Sequence, residues 1–175
     1  MMGKTLVIYY SRQGQNYVNG DIVYLEKGNT EVVAGYIAQA ADADLFEIET
    51  VKDYPADYTA CTVEAKRELK ASSRPGLRRY LDNIDQYDRI VIAGPCWWGT
   101  FPMPVFSLLE RLDFTGKTVY PVMTHEGSGL GGCVSSLMQV CSGAAIGKGL
   151  AIHGATASQS RGVCEQWVSN HLLNV

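Results

Sequence analysis

The sequence predicts one α/β domain in which a parallel sheet lies between two layers of helices. Short apolar runs alternate along the chain with longer stretches whose apolar residues recur every three or four positions. This strand–helix–strand alternation is typical of parallel sheets with helices on both faces. The length of 175 residues and the hydrophobic content of 46% suffice for the core of one such domain, over 1–175, and are too small to suggest two.

Five apolar runs are predicted to be the strands of this sheet. They cover residues 4–10, 44–49, 88–93, 117–123 and about 145–152. Pro121 lies inside the fourth run, and proline has no N–H to donate to a neighbouring strand. We therefore expect Pro121 near a sheet edge or a strand end.

Five helices are predicted, each after one strand. The second has the clearest pattern, because Ala60, Ala65 and Leu69 form an apolar face and its basic residues lie opposite. The predicted helices run from Asn29 to Ala40, over about 57–70, from about 102 to Leu112, from Leu130 to Val140, and through Val163 to Leu172.

A phosphate-binding loop is predicted after the first strand, in two separated halves. Ser11-Arg12-Gln13-Gly14 ends the strand, and Gly28-Asn29-Thr30 opens the first helix. Asn19-Gly20, inside the intervening segment 15–27, is a strong hairpin signal, and a hairpin brings the two halves together. The free amides of a helix N-terminus favour an anion, so the sequence predicts a phosphate-bearing ligand. The hairpin is expected to act as a lid through Tyr17 and Tyr24, or else to cover surface or contact a second subunit.

The loops after the third and fourth strands carry unusual residues. Trp97 and Trp98 lie together between Gly94 and Pro102, which predicts a flat aromatic ligand against them, or else packing at the sheet end or a subunit contact. The glycine-rich segment 124–132 would let backbone amides approach such a ring. A dinucleotide fingerprint is not indicated there, because no Asp or Glu lies between Glu126 and Glu165 to bind a ribose.

Composition excludes several classes of partner. The net charge of -3 without long charge runs does not indicate a nucleic acid or an anionic membrane as partner. No apolar run approaches a membrane span, and the five cysteines contain no Cys-x-x-Cys pair, so neither a metal site nor a disulfide framework is expected. We expect a cytoplasmic protein.

Together the three loops resemble those of the flavodoxin-like flavoproteins, in particular the group with Ser-Arg-x-Gly and Pro-x-Trp-Trp-Gly-Thr-x-Pro-Met-Pro motifs. The resemblance implies a three-layer, doubly wound sandwich with strand order 2-1-3-4-5, an inserted hairpin, and non-covalently bound FMN. By position, it implies that the phosphate is surrounded by Ser11, Gln13, Gly14, Gln15, Asn16, Asn29 and Thr30. It implies that the flavin ring is flanked by Pro95, Cys96, Trp97, Trp98, Gly99 and Thr100, and on its other edge by Thr124, His125, Glu126, Gly127 and Gly129.

The resemblance leaves three functions open. One is an FMN-dependent oxidoreductase that takes electrons from NAD(P)H, or from a redox protein, and reduces a quinone or similar small molecule. The others are a non-enzymatic electron shuttle and, more remotely, a flavin-free interaction module; a homodimer is possible in each case.

Four residues of the predicted site have open roles. His125 is the only catalytic candidate, and the alternative is that it bonds locally. Cys96 either takes part in redox chemistry or is a small apolar filler. Arg12 either neutralises the phosphate or points to solvent. The Gly99 peptide is expected to flip towards the flavin on reduction.

Overall fold

The computed structural model describes residues 3–173. Its strands are Lys4–Tyr9 (β1), Gly14–Val18 (β2), Asp21–Leu25 (β3), Asp44–Glu47 (β4), Tyr87–Pro95 (β5), Thr118–His125 (β6), Ala145–Ile146 (β7) and Leu150–His153 (β8). Its α-helices are Asn29–Ala41 (α1), Tyr58–Ala71 (α2), Met103–Leu109 (α3), Cys133–Val140 (α4) and Arg161–His171 (α5), and a 3₁₀ helix covers Gly154–Gln159.

The main sheet is parallel and has the predicted strand order. β1 lies between β4 and β5, β6 follows β5, and both β7 and β8 pair with β6. The order 2-1-3-4-5 is therefore confirmed, with a fifth strand in two pieces. The carboxyl ends of β1, β5 and β6 meet at one edge, where the order reverses and a ligand is expected.

Apolar side chains of the central strands point alternately to the two faces of the sheet. Leu6 and Ile8 face a core that α3 and α4 help to cover, whereas Val7 and Tyr9 face a core closed by α1 and α5. This two-sided burial explains why the central strands are continuous apolar runs rather than alternating ones.

Pro121 occupies the middle of β6, not an end as expected. The Lys117 carbonyl accepts from the Ala145 N–H at 2.9 Å, and the Val119 carbonyl accepts from the Gly147 N–H at 2.8 Å. Every second residue from Lys117 onwards therefore faces the fifth strand. Pro121 is the next residue in this series. It has no N–H to donate, and it lies opposite the break in the fifth strand between β7 and β8, where no partner is needed. The break contains Gly149, whose added Cβ would lie 3.2 Å from Pro121.

Three helix predictions need correction. Ala60 is exposed, and Cys61 and Ala65 instead form the buried positions of α2. α3 ends at Leu109, before Leu112. α4 begins at Cys133 rather than Leu130, because the intervening Gly131 has a φ of 51° that an α-helix does not allow.

The inserted hairpin is confirmed as a separate two-stranded sheet. Asn19 and Gly20, with φ values of 53° and 91°, form the two-residue turn between β2 and β3. Gly14 pairs with Leu25, so the arms leave and return at adjacent points. Among residues 3–173, no helix has both the length and the apolar character required to cross a bilayer.

Candidate functional site

The two halves of the predicted phosphate loop meet at the start of α1. The Glu31 N–H donates to Ser11 Oγ at 3.0 Å, so Ser11 caps a helix whose own N-cap residue, Gly28, has no side chain. A Cβ on Gly28 would collide with Ser11 Oγ and the Arg12 carbonyl. The amides of Asn29 and Thr30, in the first helical turn, have no i−4 carbonyl to bind and suit an anion.

A cavity of about 270 Å³ opens beside this helix terminus; we call it the cradle cavity. It is lined by the predicted site residues Ser11, Asn16, Asn29, Thr30, Pro95, Cys96, Trp97, Thr124, His125 and Glu126, and in addition by Arg12, Tyr17, Tyr58, Ser128 and Gly154. The structure thus brings parts of all three predicted loops around one space. A cofactor role for these residues stays a prediction.

The other predicted site residues lie outside the cradle cavity. Gln13, Gly14 and Gln15 line a different cavity of about 690 Å³, because the chain turns into the hairpin at Gly14, where φ is 84°. Trp98 contacts α2 instead. Gly99, Thr100, Gly127 and Gly129 belong to the turns that shape the two loops and do not line the cradle cavity.

Two residues that line the cradle cavity, Tyr58 and Gly154, were not predicted from the sequence. Tyr58 begins α2, far along the chain from every predicted loop, and only the tertiary fold brings it to the cavity. Gly154 follows β8, whose carboxyl end reaches the same sheet edge as β6. The parallel topology was therefore a clue to Gly154 and gave none to Tyr58.

Arg12 borders the cradle cavity, and its guanidinium donates to backbone carbonyls instead of only pointing to solvent; its role in neutralising a phosphate stays a prediction. Its Nε donates to the Gln15 carbonyl at 2.8 Å, and its Nη2 donates to the Pro55 and Ala56 carbonyls, each at 3.0 Å. The arginine thus ties the base of the hairpin to the segment before α2.

The two adjacent tryptophans have different surroundings. Trp97 packs edge-on against Tyr10 and Tyr54, with ring centroids 5.3 and 5.0 Å apart, so the packing alternative holds for part of this ring. Trp98 is 51% exposed, and its indole N–H donates to the Thr62 carbonyl at 2.9 Å. Only Trp97 borders the cradle cavity.

The Gly99 carbonyl is already engaged. It accepts from the Gly132 N–H at 2.6 Å, which joins the Trp97–Thr100 turn to the start of α4. The reciprocal bonds between Trp97 and Thr100 hold the same turn. A peptide flip at Gly99 therefore has to break a hydrogen bond, and this proposed motion stays a prediction.

His125 is positioned as a neutral donor. Its Nδ1 accepts from the Gly127 N–H at 2.9 Å, which assigns the proton of the neutral ring to Nε2. Its ring lies 5.5 Å from that of His153. Burial, and secondly the neighbouring His153, lower the pKa of His125 below its usual range. The imidazole is thus neutral at pH 7.

This lowered pKa predicts a pH dependence of stability. Below pH about 6.5, the unfolded chain binds a proton at His125 before the folded chain does, so the free energy of unfolding decreases as the pH falls. His125→Asn offers an acceptor to Gly127 without titrating, and its loss of stability between pH 7 and 5 is expected to be smaller than that of the wild type. Denaturant unfolding at several pH values measures both. Equal losses would contradict the assigned pKa.

The hairpin crosses the cradle cavity and is fastened on both sides. At its tip, the Asn19 N–H donates to Glu126 Oε1 at 2.6 Å. On its β2 side, Gln15 Oε1 accepts from the Tyr58 N–H at 2.8 Å, and the Tyr17 ring stacks on Tyr58 with centroids 6.1 Å apart. These contacts hold the hairpin beside the cavity, and its role as a lid stays a prediction.

The five cysteines are free thiols, and four of them, Cys61, Cys133, Cys141 and Cys164, are buried. Burial raises the pKa values of Cys133 and Cys141 to about 12, and it also raises that of Cys61. Cys96, half-buried, is the one that borders the cradle cavity. Within residues 3–173, no three His, Cys, Asp or Glu side chains group in a way that would hold a metal ion.

A sequence model of the Flavodoxin family matches residues 22–171. The chain belongs to the flavodoxin family. The match begins inside the hairpin, where the insertion separates β1 from the rest of this flavodoxin-family chain.

Solved structures of similar fold cover nearly all of this flavodoxin-family chain. A candidate flavoprotein from Bacteroides uniformis is 31% identical, with a TM-score of 0.75 over 97% of this chain and 99% of its own. One from Bacteroides eggerthii is 23% identical, with a TM-score of 0.75 over 96% and 97%. A Lactobacillus acidophilus flavoprotein in complex with FMN is 24% identical, with a TM-score of 0.62 over 90% and 97%. No curated protein sequence matches significantly.

Proposed function

We propose that this flavodoxin-family protein binds FMN and transfers electrons from NAD(P)H to a quinone or a similar small acceptor. The observation that carries the proposal is the contact between the two halves of the predicted phosphate loop at the start of α1, and these halves line the same cavity as Trp97 and His125. The FMN complex of the Lactobacillus acidophilus flavoprotein supports the choice of cofactor.

The residues of the cradle fit the phosphate of FMN. Gly28 lets Ser11 and the Arg12 carbonyl approach the start of α1 closely, and the Asn29 and Thr30 amides lie at the positive end of α1. Ser11 Oγ accepts a hydrogen bond from the Glu31 N–H, so the hydroxyl proton of Ser11 remains free to be donated to an anion. Neutral donors therefore line the phosphate site, and Arg12 borders the same cavity with its positive charge while it donates to backbone carbonyls.

The remaining cavity residues would hold and orient the ring system. FMN, when bound, supplies reversible acceptance and release of two electrons. Pro95 and Trp97 provide an apolar border at one loop, and His125 presents a neutral Nε2–H at the other. Tyr17 of the hairpin also borders the cavity and would shield part of a bound ring from water.

The reaction balances without a metal or a further cofactor. The reduced nicotinamide gives up a hydride, which carries two electrons and one proton. The quinone takes up two electrons and two protons, and the second proton comes from solvent. His125 would orient the bound ring or the acceptor through its Nε2–H, and its lowered pKa means that it does so as a neutral donor and not as a positive charge.

An enzyme is favoured over an electron shuttle by the small net charge. Shuttles commonly depend on a strongly charged face to steer docking, and the net charge is only -3. A homodimer stays a prediction.

Two measurements test the proposal. The purified protein, titrated with FMN, is expected to quench flavin fluorescence and to show a flavin absorption spectrum. The FMN-loaded protein is then expected to oxidise NADH or NADPH much faster when menadione, a naphthoquinone, is present. FMN binding without this turnover would favour the shuttle, and the absence of FMN binding would favour the flavin-free interaction module.

A further inference from the structure

The end of the cradle cavity that lies against α1 is closed on the side of β1. The Ser11 hydroxyl and the Arg12 carbonyl approach Gly28 so closely that an added Cβ would collide with both. The bond from the Glu31 N–H to Ser11 Oγ, at 3.0 Å, holds this contact in place. No space is left on this side for a chemical group attached to an anion at the α1 amides.

The floor of the same end is polar and buried. The Thr30 and Thr124 hydroxyls are hydrogen-bonded to each other at 2.7 Å, and both side chains border the cradle cavity. This bond joins the first turn of α1 to β6. The separation between α1 and β6 is thereby fixed, and an anion at the α1 amides cannot extend downwards between them.

Glu126 forms another wall of this end of the cavity. A Cβ added to Gly154 would contact both the Glu126 carboxylate and the Asn29 side-chain amide, so these three residues meet at one point. The other carboxylate oxygen accepts from the Asn19 N–H at 2.6 Å, which places the hairpin tip beside the same wall. A group that extends from an anion at the α1 amides therefore meets Glu126.

The Glu126 wall carries a negative charge and offers no donor. A carboxylate only accepts hydrogen bonds, and the backbone donor next to it, the Asn19 N–H, is already bound. The α1 amides and the Ser11 hydroxyl can serve one phosphate. A second phosphate attached to the first would lie against the carboxylate, where like charges repel each other and no donor compensates.

We propose that Glu126 is a specificity-determining residue, which admits a terminal phosphate monoester to the cradle and rejects a pyrophosphate. This inference rests on the proposed function, because it specifies which flavin nucleotide the cavity accepts. FMN ends in one phosphate, whereas FAD continues from that phosphate into a second phosphate and an adenosine. The selection of FMN against FAD thus depends on the residue beyond the first phosphate and not on the ring, which both cofactors share.

The hairpin tip is the competing cause of such a selection. It is joined to Glu126, so the tip alone could exclude a bulky adenosine. Glu126→Gln separates the two causes, because glutamine keeps an oxygen that can accept from the Asn19 N–H and replaces the other oxygen by an N–H donor. The charge is therefore removed while the bond that places the tip is retained.

Calorimetric titration of the flavin-free protein with FMN, FAD and riboflavin tests the proposal by binding alone. The wild type is expected to bind FAD about a hundredfold more weakly than FMN and no more tightly than riboflavin, because the phosphates of FAD gain nothing in the cradle. Glu126→Gln is expected to reduce the ratio of the FAD and FMN dissociation constants about tenfold. Glu165→Gln makes the same change at an exposed position of α5 and is expected to leave the ratio unchanged.

Three results of this titration would overturn the proposal. The first is a wild type that binds FAD as tightly as FMN. The second is an unchanged ratio in Glu126→Gln, which would assign the selection to the hairpin tip. The third is an equal change of the ratio in Glu165→Gln, because a negative charge far from the cradle would then have the same effect.

Inorganic phosphate and pyrophosphate separate this inference from the proposed function, because neither carries a flavin ring. The flavin-free wild type is expected to bind pyrophosphate no more tightly than phosphate, whereas Glu126→Gln is expected to bind pyrophosphate about tenfold more tightly than phosphate. That result without any FMN binding would support the inference while the proposed function fails. FMN binding with an equal affinity for FAD would overturn the inference while the proposed cofactor stands.

Discussion

Gly28→Ala is expected to weaken FMN binding by about a hundredfold. The added Cβ would collide with Ser11 Oγ and would lie 2.5 Å from the Arg12 carbonyl oxygen, which belongs to the backbone and has little freedom to move. The two halves of the loop must then separate. Ser11 would lose its bond to Glu31, and the hydroxyl and the α1 amides would no longer point at one phosphate.

Fluorescence titration of FMN measures this loss, and α1 offers a matched control. Gly35 lies in the same helix, and beyond the helix's own backbone and the adjacent residues no atom lies within 4 Å of an added Cβ. Gly35→Ala is expected to bind FMN normally and to raise the free energy of unfolding by about 0.5 to 1 kcal/mol, because alanine favours helices. Riboflavin, which lacks the phosphate, is expected to bind equally weakly to the wild type and to Gly28→Ala. A wild-type FMN affinity in Gly28→Ala would rule out the cradle as the phosphate site.

Glu126→Ala is expected to make FMN dissociate about tenfold faster. The Glu126 carboxylate accepts from the Asn19 N–H at 2.6 Å, so it fastens the hairpin tip over the cradle cavity. Without it, the tip would be held only through its own strands and the contacts at Tyr58. The dissociation rate is the appropriate quantity, because removing a negative charge near a phosphate also speeds association.

Rapid mixing of FMN-loaded protein with an excess of a competing flavin-binding protein measures the dissociation rate. Glu165→Ala is the matched control, because Glu165 is an exposed carboxylate on α5 and its loss changes the net charge equally. An unchanged dissociation rate in Glu126→Ala would mean that the hairpin is a surface cover or a subunit contact and not a lid.

Much of the fold could be predicted because it follows from local patterns. The apolar runs gave the five strands, and Asn19-Gly20 gave the hairpin, since only residues that tolerate positive φ form that turn. The strand order came from the resemblance to flavodoxin-like proteins and not from the patterns themselves. The errors were at helix ends and at Ala60, where a change of one position rotates a side chain by a quarter of a turn or more.

The site was less predictable, because its details depend on contacts between distant segments. No local pattern indicates that Arg12 will bond to Pro55 and Ala56, or that Trp98 will turn to Thr62. For the same reason, the sequence does not indicate which of the two tryptophans borders the cradle cavity. Adjacent residues in a tight turn point in different directions, and only the position of α2 determines what each one meets.

By itself, the sequence determined the elements of this protein and the three loops predicted to form its site, because strand periodicity, turn residues and helix starts are set by neighbours along the chain. The tertiary structure alone decided how those loops come together. It joined the two halves of the predicted phosphate loop through Ser11 and Glu31, fastened the hairpin to Glu126, and placed parts of all three loops around the cradle cavity. These features depend on which distant surfaces pack together, and that is a property of the folded chain as a whole.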